Sequence, residues 1–175
     1  MKEPSTLSSD HELLLSRCRQ KDVAAVQTLV SLYGENLYGF IRGALGGKTE
    51  LVSSLLTGTF VRALYASENI PVDESFKVVL LRTALDGMKK KSDAPREPIA
   101  GLDKRFSVLS ECLGRLFWDE RILLLLRDQM DCSMDEMHAI LSENDPTIRA
   151  SLQQARLHFR EQLQSLMDAK GPQTS

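Results

Sequence analysis

Thr147, Arg149, Ser151, Gln154, Arg156 and Arg160 recur along one polar side of a single stretch near the end of this 175-residue chain. Guanidinium forks, two hydroxyls and an amide in this spacing are donors suited to base edges and phosphate oxygens of a nucleic-acid duplex. The other side of the stretch carries Ile148, Leu152, Ala155, Phe159, Leu163 and Leu166 at every third or fourth place, which predicts one buried stripe on a helix. Asp145 is its predicted N-cap and Pro146 its first helical residue, where a missing N–H costs nothing. Just upstream, Ser133 and Glu136 have capping-box spacing, and Met137, Ile140 and Leu141 give a short helix an apolar face. Ser142, Glu143 and Asn144 form the turn between the two. A short helix, a polar turn and a long helix make the pattern of a helix-turn-helix, whose second helix enters a major groove. A plain helical hairpin has the same periodicity, and the pattern leaves both readings open.

Other chemistries find no footing. The chain has no Gly-rich phosphate loop, nucleophile elbow or HExxH pair, so no catalytic residue, no enzyme activity and no cofactor are expected. Cys18, Cys112 and Cys132 are odd in number and widely spaced, and His11, His138 and His158 lack ligand spacing with them; free buried thiols and no metal site are expected. The N-terminal residues MKEPSTLSSDHE lack an apolar signal region, and the longest apolar run, 122–126, is too short for a bilayer. A cytoplasmic protein without a membrane partner is the expectation.

The elements that would position these residues are all helical. Ser9 and Glu12 suggest a capping box before Leu13, Leu14 and Leu15, and Asp22 is a predicted cap for a second helix with an apolar face from Val26 to Leu45. Gly34, Gly39 and Gly43 each weaken that helix by roughly 1 kcal/mol relative to Ala, and mark either close packing or a break. A third helix carries Leu51 to Leu64, and Asp73 would cap a fourth containing Phe76, Val79, Leu80, Thr83 and Ala84. The text SDAPREPIAGLDKR, residues 92–105, reads as a flexible linker. The predicted architecture is all-α: a helical domain over 10–91, a linker over 92–105, and a second small domain over 106–168 that contains the helix-turn-helix.

With these residues in view, the chain resembles the extracytoplasmic-function group of bacterial sigma factors. Glu136-Met137-His138, Leu141, Thr147-Ile148, Ala155-Arg156 and Phe159-Arg160 align without a gap with that family's promoter-recognition region 4. The stretch 10–42 is similar to the opening helices of its region 2, and GTFVRALY (58–65) to the end of its polymerase-clamp helix. FKVVLLRTAL followed by Lys89, Lys90 and Lys91 is similar to the helix that meets promoter DNA. The resemblance implies a transcription initiation factor with core RNA polymerase and promoter DNA as partners, and an anti-sigma factor as a further one. It implies that Thr147, Arg149 and Ser151 lie nearest the bases and Arg156 and Arg160 on phosphates, with Gln154 in the same DNA-binding set. Lys89 to Lys91 would steer DNA, although a helix C-terminus favours cations in any case. Leu55, Leu56, Phe60 and Arg62 would bind the clamp, although the three apolar residues also suit a core.

The departures leave a second reading open, a degenerate adapter that binds a protein partner, such as a polymerase subunit or an anti-sigma factor, and no longer reads promoters. Ser53-Ser54 and Thr57-Gly58 replace the family's acidic and Gln–Glu pairs, and Val79 replaces its Trp. Ala150-Ser151 replaces a Ser–Arg pair, and Gln154 a further Arg. Charge points the same way. Residues 10–91 have 11 Lys/Arg against 9 Asp/Glu, whereas 106–168 have 6 against 11. Phosphate neutralisation supplies most of a DNA-reader's affinity, so weak autonomous binding is expected from so acidic a second half.

Overall fold

The computed structural model describes residues 6–45, 49–66, 75–89 and 104–169, and all regular structure among them is helical. Four helices come from the first half: α1 (Thr6–Arg19), α2 (Val23–Leu45), α3 (Thr49–Ala66) and α4 (Phe76–Lys89). Four follow in the second: α5 (Lys104–Arg115), α6 (Trp118–Leu124), α7 (Met134–Leu141) and α8 (Asp145–Ala169). A π-helical turn, Leu125–Gln129, prolongs α6.

Local chemistry sets the helix ends. The Asp22 carboxylate accepts from the N–H groups of Ala24 (3.0 Å) and Ala25 (3.2 Å), the cap that the sequence predicts. A hydrogen bond from the Arg17 guanidinium, together with these amides, holds the Asp22 carboxyl below its usual pKa. Ser9 is not a cap: α1 already starts at Thr6, so Ser9 lies within it. Asp73 lies outside the described residues, and Ser75 serves the fourth helix, its Oγ accepting from the Val78 N–H at 3.4 Å. The start of α5 at Lys104 takes two residues from the predicted linker, whose residues 92–103 lie outside the described ones.

The glycine question has a definite answer. The α2 helix runs unbroken through Gly34, Gly39 and Gly43. A Cβ on Gly39 would lie 2.6 Å from Gln129 Nε2, and one on Gly43 would lie 3.0 Å from Leu125 Cδ2. Two of the three glycines therefore let the π turn of the second half approach the α2 backbone closely. Gly34 has only ordinary contact with Val30.

That approach is part of a larger seam. Apolar side chains of α2 and α4, among them Phe40, Ile41, Leu80 and Ala84, belong to one connected core with Leu126, Met137 and Ile140 of the second half. The sequence predicts two bundles, each with a core of its own; the described helices share one. Three cations bridge the seam. Arg121, 2% exposed, donates through Nη1 to the Ala44 carbonyl (2.7 Å), through Nε to that of Leu113 (2.8 Å) and through Nη2 to that of Leu116 (3.0 Å). A buried charge is tolerable when its donors are used, and the carbonyl-rich C-termini of α2 and α5 supply both acceptors and favourable dipoles. Arg82 of α4 reaches the Ala139 carbonyl with Nη2 at 2.7 Å, and Lys77 pairs with Glu136 at 3.1 Å.

Candidate nucleic-acid interface

The helix-turn-helix geometry rests on two caps. Ser133 Oγ accepts from the Glu136 N–H (3.1 Å) while Glu136 Oε2 accepts from the Ser133 N–H (2.8 Å), the reciprocal box that the sequence predicts. Ser142 ends α7 in the left-handed region at φ 59°, and its N–H returns to the His138 carbonyl at 2.8 Å. The cap of α8 is Asn144, one residue earlier than predicted. Its Oδ1 accepts from the Thr147 N–H (3.0 Å) and from the Thr147 hydroxyl (2.9 Å), so Asp145 is the first helical residue and Pro146 the second. Pro146 still sits where its absent N–H leaves no bond unmade.

The α8 stripe is inward as expected: Ile148, Leu152, Ala155 and Leu166 are buried, and Phe159 and Leu163 half-buried. Opposite it, Thr147, Arg149, Gln154, Arg156 and Arg160 are exposed and Ser151 half-buried. These polar residues divide between two surfaces. Arg149, Gln154, Arg156 and Arg160 line a groove of about 690 Å³ together with Arg127, which donates to the Cys132 carbonyl at 2.6 Å. Sequence reasoning missed Arg127, because it closes the apolar run 122–126 rather than lying on the polar face of α8. Thr147 and Ser151 instead line a cleft of about 360 Å³ between the halves, with Arg82 and Lys89 on its other wall.

Acidic neighbours temper the groove. Arg156 pairs with Asp128 at 2.7 Å and Arg149 lies 4.0 Å from Asp145, whereas Arg160 has no ion pair among the described residues. Exposed pairs of this kind contribute only about 0–1 kcal/mol, so a phosphate can displace the carboxylate. Gln154 is held by His158 at 2.7 Å, and His158 in turn meets Glu120 at 2.5 Å. In the first half, Lys89 sits at the end of α4, 4.0 Å from Asp86; Lys90 and Lys91 lie outside the described residues. Leu55 and Phe60 are buried in the core; of the four predicted clamp residues, Leu56 is half-buried and Arg62 exposed. Among the described residues there is no cluster of three potential metal ligands, and no helix is long and apolar enough to cross a membrane.

The all-helical arrangement is a fold shared with a solved sigma factor. The chain is similar to CnrH, solved in complex with the cytosolic domain of CnrY, at 24% identity and a TM-score of 0.72. That match covers 91% of this chain and 97% of CnrH. It is also similar to the sigma factor RpoE, solved in complex with the anti-sigma factor NepR from Bartonella quintana, at 16% identity and a TM-score of 0.65. There the match covers 79% of this chain and 96% of the other. No protein-family model matches the chain, and no curated protein matches it.

Proposed function

We propose that this protein is a sigma-factor-like initiation factor that binds core RNA polymerase and directs it to promoters, with no catalysis of its own. The observation that carries this reading is the arginine-lined groove on the exposed side of α8, within a fold shared with the sigma factor RpoE. Arg149 is the base-edge candidate; Arg156 and Arg160, with Arg127 beside them, are the phosphate candidates. Thr147 and Ser151 join the base-reading set once the cleft to α4 opens, because in the closed arrangement Lys89 and Arg82 stand opposite them. On α3, Leu56 and Arg62 are the accessible clamp-binding candidates. The first half would hold polymerase and DNA near the start site, and the second would read an upstream element. The setting for such work is the cytoplasm.

A degenerate adapter remains the second reading, favoured by Ser53 and Ser54 on the exposed side of α3, where the family has carboxylates. Run-off transcription with core polymerase on a genomic promoter library separates the two. Promoter-dependent transcripts that fall when Arg149→Ala is introduced support initiation. Polymerase binding without any such transcript supports the adapter, and no binding to polymerase or to an anti-sigma factor defeats both.

A further inference from the structure

Gln154 lines the arginine groove and is the one amide among the predicted DNA contacts. Its oxygen accepts and its nitrogen carries two donors, so the corner turned to a duplex decides which bases it can meet. Two residues outside the predicted contacts make that choice. His158, one turn further along α8, lies against both Gln154 and Glu120 of α6. Its Nδ1 is 2.5 Å from Glu120 Oε1, and its Nε2 is 2.7 Å from Gln154 Nε2. The Glu120 side chain is 14% exposed, and its other oxygen accepts from the Phe117 N–H at 3.2 Å. A carboxylate only accepts, so Nδ1 carries the ring proton and a neutral His158 has a bare Nε2. The Gln154 N–H donates to that nitrogen, and the amide oxygen is left for the groove. Other charged groups on the elements packed against α8 have partners or surfaces of their own. Glu111 and Arg115 of α5 pair at 2.8 Å, Asp128 pairs with Arg156, and Glu136 of α7 pairs with Lys77. Arg121 is held by backbone carbonyls, Asp119 lines the cleft toward α4, and His138 Nδ1 lies against the Glu143 carbonyl. Asp135 of α7 and Glu161, three residues beyond His158, are exposed.

We infer that Glu120 and His158 are positioning residues that select the base read by Gln154, and that a second proton on the ring reverses the selection. This rests on the sigma-factor reading, in which the polar side of α8 meets promoter DNA. With His158 neutral, the free amide oxygen of Gln154 accepts from adenine N6 or cytosine N4. Imidazole ordinarily takes up its second proton from solvent between about pH 8 and pH 5. A charged His158 donates through both nitrogens, so the Gln154 amide turns over and gives its oxygen to Nε2. Its N–H groups then face the groove and suit guanine O6 and N7 or thymine O4.

The test loads core polymerase with the full-length chain and selects randomised upstream duplexes at pH 8 and pH 6, the bound DNA being sequenced. At one position, adenine or cytosine is expected to prevail at pH 8 and guanine or thymine at pH 6, a change in preference of at least about fivefold. Gln154→Ala should remove the preference there at both pH values. His158→Phe keeps the bulk of the ring without its nitrogens, and should make the preference independent of pH. Glu120→Gln separates positioning from packing. The Phe117 N–H still takes the side-chain oxygen, so the new amide turns its N–H groups to Nδ1 and the ring proton moves to Nε2. That variant is expected to show the pH 6 preference already at pH 8. In the isolated chain at pH 8, ¹⁵N NMR of the ring should report Nε2–H for it and Nδ1–H for the wild type. A wild-type preference that is the same at both pH values, or Nδ1–H retained in Glu120→Gln, overturns the inference. Selection that is intact but indifferent to pH sinks this inference alone, whereas selection of no duplex at either pH removes the initiation reading and this inference together.

Discussion

Gly43 and Gly34 stand nine residues apart on one helix and should respond to a side chain in opposite ways. A Cβ at Gly43 meets Leu125 Cδ2 at 3.0 Å, and Leu125 is only 5% exposed. Gly43→Val is expected to cost about 1–3 kcal/mol in urea denaturation, as overpacked sites do. Gly34→Ala meets only Val30 Cγ1 at 3.4 Å and is expected to stabilise by roughly 0.5–1 kcal/mol, the usual gain in a helix interior. Equal effects at the two positions would contradict the close approach of the π turn. Cys132 offers a pH readout at the same scale. Burial raises its thiol from 9.0 to about 11, so the unfolded chain loses that proton first. Its contribution to stability is therefore present below pH 9 and lost as pH climbs toward 11. Stability that stays flat across this interval in the wild type, relative to Cys132→Ala, would refute the assignment.

At the scale of elements, the caps decide whether α8 is presented at all. Asn144→Ala is expected to cost about 1 kcal/mol in thermal or urea unfolding, and Asp145→Ala much less. The reverse order would restore Asp145 as the cap that the sequence predicts. This one-residue error shows what was legible and what was not. Periodicity identified the buried stripe of α8 and the apolar faces of α2 to α4, because a face repeats many times and errors average out. A cap is a single residue, and Asn144, Asp145 and Pro146 are all good start signals; only the geometry of the Thr147 amide separates them. The capping box of Ser133 and Glu136 was readable from its spacing, whereas the same spacing misled at Ser9 and Glu12, where the helix already starts at Thr6. Arg121 was not, since an arginine between Glu120 and Ile122 reads as surface until the C-termini of α2 and α5 are found around it.

For the whole molecule, the unread feature is the seam. Each half has the composition of an independent bundle, and the sequence carries no mark that Leu80 and Met137 share a core. Long-range partners of this kind leave no local pattern. The seam also turns polar residues of α4 inward, toward α7, instead of toward a duplex. The double variant Lys77→Ala, Arg82→Ala is expected to loosen the halves, with a larger radius of gyration in small-angle scattering and tighter binding to duplex DNA by the isolated protein. Unchanged scattering would mean that apolar contact alone keeps the cleft shut.

Arg121 and Arg82 grip peptide carbonyls, those of Ala44 and Ala139. A carbonyl is present whatever amino acid carries it. Mutational drift on the receiving side of these clasps is therefore nearly free of consequence, provided that the helix keeps its path, whereas the two arginines cannot be exchanged even for lysine without losing the fork. A closure built this way tolerates change in most of the sequence around it.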